Sequence, residues 1–172
     1  MAGETSLAVV IVSYNCRDLL ASCLSSLYRH APSVIPLGDV WVVDNSSMDG
    51  TAAMVRSDFP EVRLHVNSVN LGFSAANNIA LRQISASYVL ILNPDTVVRD
   101  GVIDRLLETL ESRPDIGIIN CALVRPDGTL DHAAKVSFPT LTGALGHFSR
   151  IGRSDRAPKV LAQYRAPDVR EP

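Results

Sequence analysis

Lysine is nearly missing from this chain: 2 of its 172 residues, against 14 arginines, a bias typical of GC-rich bacterial coding sequence. Cysteine is scarce too. Cys16, Cys23 and Cys121 are odd in number, and no two have metal-ligand or redox spacing, so three reduced thiols are expected. His30, His65, His132 and His147 lack zinc spacing. No apolar run approaches the ~18 residues of a membrane span. The opening Met-Ala-Gly-Glu-Thr-Ser lacks the basic start and apolar stretch of a signal peptide. A net charge of −2 carries no nucleic-acid signature. No G-x-G-x-x-G follows an apolar run, and no G-x-x-x-x-G-K-[ST] occurs, which sets aside a dinucleotide fold and a P-loop NTPase. Ser74, in Gly72-Phe73-Ser74-Ala75-Ala76, stands one residue short of a nucleophile elbow, and no histidine pairs with it.

What the chain does have is a large apolar share, 47%, enough for a sizeable core. Five short segments read as strands: the apolar runs Leu7 to Ser13, Asp39 to Asn45, Tyr88 to Asn93 and Ile116 to Leu123, and the alternating Val62 to Asn67, third in order. Helical spacing lies between them. Leu19, Leu20, Cys23, Leu24, Leu27 and Tyr28 line one helix, with Asn15 as its expected cap and Asp18 in its first turn. Asp49 is the expected cap of the second, which Pro60 ends. Small residues from Gly72 form the third, and Val102, Ile103, Leu106, Leu107 and Leu110 mark the fourth. Asp127-Gly128 signals a turn. The order βαβαβαβαβ predicts an α/β fold of three layers, α/β/α, around a mostly parallel central sheet. Regularity fades after Asp131, with one short helix expected near Leu141 to Phe148. The charge changes there as well. Residues through Val124 hold 8 basic and 13 acidic side chains, whereas Arg125 to Pro172 hold 8 basic and 5 acidic. The expected division is a nucleotide-binding domain over 1–131 and an irregular basic segment over 132–172.

Ligands of open α/β sheets bind beyond the carboxyl ends of the strands. Those ends read Ser13-Tyr14-Asn15, Asp44-Asn45-Ser46-Ser47, Asn70-Leu71-Gly72-Phe73 and Asn93-Pro94-Asp95-Thr96. Any one could be ordinary turn chemistry. All four together, with two carboxylates, point to a nucleotide site lacking a glycine-rich phosphate loop. Such a site can neutralise phosphates with a hard cation, Mg²⁺ or Mn²⁺, held by one or two carboxylates, and Asp95 at a strand tip suits that role.

The blocks Val9 to Asn15 (VVIVSYN), Val42 to Thr51 (VVDNSSMDGT), Asn70 to Asn78 (NLGFSAANN) and Leu92 to Thr96 (LNPDT) resemble the family 2 glycosyltransferases of the GT-A fold, and among these the bacterial rhamnosyltransferase-like members. The resemblance covers roughly residues 7 to 125. It implies inverting transfer of a sugar, with rhamnose one candidate, from a UDP- or dTDP-sugar to an acceptor hydroxyl on a glycan or lipid-linked glycan in cell-surface synthesis. Ser13, Tyr14, Asn15, Asp44, Asn45, Asn70, Gly72 and Asn77 would then form the nucleotide and donor site. Asp44 would take the pyrimidine ring N–H, with Ser13 and Tyr14 lining the base pocket. Asn93 and Asp95 would lie at the donor's metal, with Asp95 its ligand. Asn93 stands where the family's D-x-D motif has its first Asp, which should weaken metal binding.

Relative to such enzymes, the chain reads as the donor-binding part, with no catalytic base assigned and an acceptor-binding half expected beyond it. Weak or no transfer is therefore expected of it alone. A cytoplasmic location is expected, with peripheral contact at the inner membrane face and a homo-oligomer both open. Two other readings stay open: a non-catalytic nucleotide-binding or assembly module, and a sugar-phosphate nucleotidyltransferase. The latter would want a Gly- and Arg-rich loop where Ser13-Tyr14-Asn15-Cys16 stands.

Overall fold

The computed structural model describes residues 6–32 and 39–131. They fall into two compact units, divided after Ser112. The first holds all the regular elements: β1 (Leu7–Ser13), α1 (Arg17–His30), β2 (Val40–Asp44), α2 (Thr51–Asp58), β3 (Arg63–Val66), α3 (Phe73–Leu81), β4 (Tyr88–Leu92) and α4 (Val102–Ser112). The strands form one sheet in the order β3-β2-β1-β4, and every pairing is parallel.

The two continuous apolar runs occupy the middle of this sheet, where both faces are covered. Every residue of β1 and β2 is buried. On one face, Val9 and Ile11 of β1 and Val40 and Val42 of β2 meet Leu20, Leu24 and Leu27 of α1, Met54 and Val55 of α2, and Ile103 and Leu107 of α4. On the other face, Val10, Val12, Trp41 and Val43 meet Ala76 and Ala80 of α3. Small side chains on α3 let that helix lie close to the strands. The layering is α/β/α, as expected. Burying each of these branched side chains stabilises the unit by about 1.5–3 kcal/mol relative to exposure.

Other expectations need correction. The edge strands are not buried on both faces: β4 alternates, with Val89 and Ile91 facing outward at 39% and 49% exposure. The fifth strand is not formed. Residues 116–123 join no strand ladder among the described residues, although the Leu123 carbonyl accepts the Asp131 N–H at 2.7 Å, and Ile118 is 92% exposed. Downstream, the Asp127-Gly128 turn does form, closed by the Gly128 N–H on the Arg125 carbonyl and a bridge between Val124 and Leu130. The helix expected near Leu141 lies outside the described residues, as does the segment 132–172. Asn15 does not cap α1; Cys16 occupies that position and gives no side-chain bond. Nor is Asp49 the cap residue of α2, a position Gly50 takes in the left-handed conformation; Asp49, one residue earlier, serves both helices. Its carboxylate accepts the Arg17 N–H that opens α1 and the Thr51 N–H that opens α2. Among the described residues no helix is long and apolar enough to cross a membrane.

One buried group is left unsatisfied away from the strand tips. Tyr28 of α1 stacks on Phe59, ring centroids 6.1 Å apart, and its hydroxyl is buried with no partner among the described residues. Burial, with Glu61 nearby, pushes its pKa up to about 12. Tyr28→Phe keeps the stack and removes the orphan. It should stabilise the protein by about 1 kcal/mol, raising the thermal midpoint by roughly 2–4 °C. An unchanged or lowered midpoint in thermal denaturation would show that the hydroxyl is satisfied in solution.

Candidate functional site

Parallel pairing brings the strand tips together. Ser13 and Asp44 are register partners at the ends of β1 and β2. On the far side of β1, β4 ends at Leu92 and runs into Asn93-Pro94-Asp95-Thr96. The chain builds outward from β1 to β3 on one side, then crosses to the other for β4. The tips of β1 and β4 therefore flank the point where strand order reverses, where such sheets bind ligands.

Asp44 is fully buried. One carboxylate oxygen takes the Ser47 N–H at 3.3 Å, the Ser47 hydroxyl, and the Ser13 hydroxyl at 3.5 Å. The other oxygen, Oδ2, is covered and has no donor among the described residues. Asn77 of α3 shows the same pattern. Its amide nitrogen donates to the Phe73 carbonyl at 2.9 Å, and its buried Oδ1 accepts nothing. Two such orphaned acceptors, one at the end of β2 and one on α3, are unusual, because a buried polar group without a partner costs about 1–3 kcal/mol.

Asn45 has a different fate. Its amide nitrogen donates to Asn70 Oδ1 at 2.8 Å and to the Gly72 carbonyl at 3.3 Å. Its oxygen accepts from Asn67 Nδ2 at 3.0 Å and from the Leu71 N–H at 2.9 Å. All four bonding positions are used within the protein. Asn45 therefore organises the loop before α3 rather than facing a ligand. Asn67, unremarked in the sequence, is part of this network and is itself held by His65 at 3.1 Å. Asn70 is drawn in as an acceptor from Gly72 N–H as well. Gly72 adopts φ 78° and ψ 171°, a conformation almost confined to glycine. A Cβ there would meet nothing within 4 Å, so conformation and not space demands the glycine.

Asn15 also has φ in the left-handed range, 49°, which asparagine tolerates better than most residues. It stitches two loops together: its N–H donates to Ser47 Oγ and its Oδ1 accepts the Met48 N–H, both at 2.9 Å. Tyr14 beside it is half exposed.

Asp95 and Asn93 are exposed. An acid in a turn commonly caps a nearby amide, but no hydrogen bond or ion pair engages the Asp95 carboxylate among the described residues. Its field is nonetheless felt. Burial pushes the Cys16 thiol above its ordinary range; a backbone hydrogen bond from Tyr14 opposes this, and Asp49, Asp44 and Asp95 each push it further up. Asp49 is held below the usual carboxylate range by the Thr51 hydroxyl and by backbone N–H groups. Among the described residues no group of three or more His, Cys, Asp or Glu is placed to hold a metal ion.

Residues 8–164 match the family described as Glycosyl transferase family 2. Similar curated proteins include an N-acetylglucosaminyl-diphospho-decaprenol L-rhamnosyltransferase of Mycobacterium tuberculosis, 29% identical over 140 residues, covering 75% of this chain and 45% of that protein. The O-antigen biosynthesis protein RfbC of Myxococcus xanthus is 30% identical over 148 residues, covering 84% of this chain and 11% of that protein. The chain thus spans less than half the length of either relative. Among solved structures, the mannosyltransferase PcManGT from Pyrobaculum calidifontis, in complex with GDP-Man and Mn²⁺, superposes with a TM-score of 0.61 at 26% identity, covering 70% of this chain and 36% of that one. S. aureus TarS 1-349 in complex with UDP-GlcNAc gives 0.56 at 21% identity, covering 64% and 32%, and speaks to the fold alone.

Proposed function

The chain belongs to glycosyl transferase family 2, and from that premise we propose that its first unit binds the nucleoside-diphosphate sugar donor of a glycosyl transfer, with a pyrimidine base at Asp44 and a diphosphate at Asp95. The observation that carries this reading is a set of unused acceptors: Asp44 Oδ2 at the end of β2, Asn77 Oδ1 on α3, and the exposed Asp95 carboxylate, which has no hydrogen-bond partner among the described residues. A pyrimidine ring N–H would satisfy Asp44. Because Oδ2 is covered, the base reaches it only if the shell around it shifts, and in this reading Tyr14, half exposed, lines the base pocket. Asn70, Gly72 and Asn77 border the donor sugar in this reading, with Asn45 fixing their loop and Asn15 fixing the loop beside Ser13.

The residues fit a hard divalent cation that completes its shell with phosphate oxygens and water. Asp95 is exposed and unpartnered, and the described residues supply no full cage of their own. When bound, Mg²⁺ or Mn²⁺ would neutralise charge on the departing diphosphate. Asn93 offers an amide where a second carboxylate would add charge, so a single carboxylate holds the cation. The mannosyltransferase of Pyrobaculum calidifontis, solved with GDP-Man and Mn²⁺, supports the donor class and the metal without deciding the base. The M. tuberculosis rhamnosyltransferase supports a deoxysugar donor and a lipid-linked acceptor.

A thermal-shift comparison of UDP, dTDP and GDP, each with Mn²⁺ and with chelator, tests the reading. A ligand at a hundred times its Kd stabilises by about 2.7 kcal/mol, a shift of roughly 5–10 °C for a chain of this size. UDP or dTDP should give it in Mn²⁺, and GDP should give less. No shift with any of the three would refute donor binding, and a larger shift with GDP would refute the pyrimidine assignment.

A further inference from the structure

The face of α1 that enters the core reads Leu20, Cys23, Leu24, Ser26, Leu27. Leucine is expected at such positions, yet two of the five are small and polar. Both are spent on one target, the turn after β4. Cys23 is fully buried, and its thiol donates to the Asn93 carbonyl at 3.5 Å and lies 3.9 Å from Thr96 Oγ1. Ser26, also buried, donates to the Cys23 carbonyl at 2.8 Å and accepts the Val98 N–H at 2.9 Å. Within the turn, Thr96 donates its hydroxyl to the same Asn93 carbonyl at 2.7 Å. Residues 93 and 98 are thus anchored to α1, and Asp95 projects between the two anchors. In the described sheet β4 is the outermost strand beside β1, so no strand beyond it steadies the turn. Burial pushes the Cys23 pKa up to about 11, with Asp95 adding to the rise, so its thiol keeps the proton it donates.

We propose that Cys23 and Ser26 are positioning residues that fix the direction in which the turn presents Asp95 to the cation and diphosphate of the donor. This rests on the reading of Asp95 given above. A core role alone would be served as well or better by alanine or leucine, because a buried hydroxyl gains nothing over an apolar group unless its bonds are needed. Neither side chain touches the donor; both act through the backbone of residues 93 and 98.

The test is calorimetric titration of UDP and dTDP into the wild type, Ser26→Ala, Cys23→Ala and Cys23→Ser, each in Mn²⁺ and in chelator. The readout is the gain in affinity due to Mn²⁺. For Ser26→Ala and Cys23→Ala that gain should fall about tenfold, the worth of one buried hydrogen bond, while affinity in chelator stays within about twofold of wild type. Cys23→Ser, which keeps a donor in place, should recover most of the gain. A folded Ser26→Ala with the full wild-type gain overturns the proposal, and so does an equal loss with and without metal. Should Ser26→Ala fail to fold, Thr96→Ala removes the same turn's closing bond from outside the core and carries the same expectation. A wild type that shows no gain from Mn²⁺ overturns the metal role of Asp95 and this proposal with it. A wild-type gain that survives in every variant overturns this proposal alone.

Discussion

Asp44→Ala is expected to lower affinity for a pyrimidine nucleoside diphosphate about ten- to a hundredfold, to the same extent in Mn²⁺ and in chelator. The reasoning starts from burial. Asp44 sits with no exposed surface at the end of a strand whose other residues are also buried. One of its oxygens is held by Ser13 and Ser47, and the other is unclaimed. A ring N–H on that second oxygen is a charge-assisted bond in a covered place, worth about 1.5–3 kcal/mol. Its partner is the base and not the phosphate, so the loss cannot depend on metal. The variant also strands the Ser13 and Ser47 donors, so stability should drop by about 1–3 kcal/mol. Urea denaturation measures that cost separately. Asp44→Asn keeps the volume and separates packing from charge. Unchanged affinity in a folded Asp44→Ala would remove the base from this end of β2.

Asp95→Ala should behave in the opposite way on both counts. Its side chain is exposed and makes no bond among the described residues, so stability should stay within about 0.5 kcal/mol of wild type. Affinity in chelator should not change. In Mn²⁺ the loss should again be about ten- to a hundredfold, because a cation held by one carboxylate has little else in the protein to hold it. Asn93→Asp should strengthen the Mn²⁺ dependence. The turn uses only the backbone carbonyl of Asn93, for Thr96 and Cys23, so a second carboxylate can be added without undoing the fold. Calorimetry on the wild type and both variants, with Mn²⁺ and with chelator, makes the comparison. Equal loss in the two conditions for Asp95→Ala would show that the carboxylate does not hold a metal.

How much of this was legible beforehand depended on whether the cause was local. β1 and β2 read correctly because a run such as Leu7 to Ser13 can hide so many branched side chains only with cover on both faces. Ile116 to Leu123 has a similar composition and forms no strand. Composition reports compatibility with a sheet but not the presence of a partner strand, and this segment finds none among the described residues. Capping was legible in kind but not in assignment. Asp49 was placed at the start of α2, yet its bond to Arg17 spans 32 positions and no local rule predicts it. Asn15 read as a cap from its position alone, while its bonds run across to Ser47 and Met48. The asparagine network had a weak signal, since Asn45, Asn67 and Asn70 each follow a strand. Which of them would be consumed inside the protein follows only from their being 22 to 25 residues apart in sequence and adjacent in space. Cys23 reads as part of an apolar helix face, and Ser26 gives no signal of its own in that pattern. A small polar residue on such a face is the trace that could have drawn attention to the turn after β4.

The strand order also bears on how the molecule assembles in time. Pairing β1 with β2 brings together residues such as Val9 and Val40, whereas pairing β1 with β4 joins Val9 to Leu90. The second closure spans a loop more than twice as long, and its added entropy is about 0.8 kcal/mol. It is also the pairing with fewer neighbours to share the cost, because β4 has no described strand on its other side. The β1-α1-β2 half should therefore condense first, with β4 arriving late. In that order the buried end of β2 bearing Asp44 exists before the turn bearing Asp95 is in place. During refolding the chain should become able to recognise a base before it can hold a diphosphate.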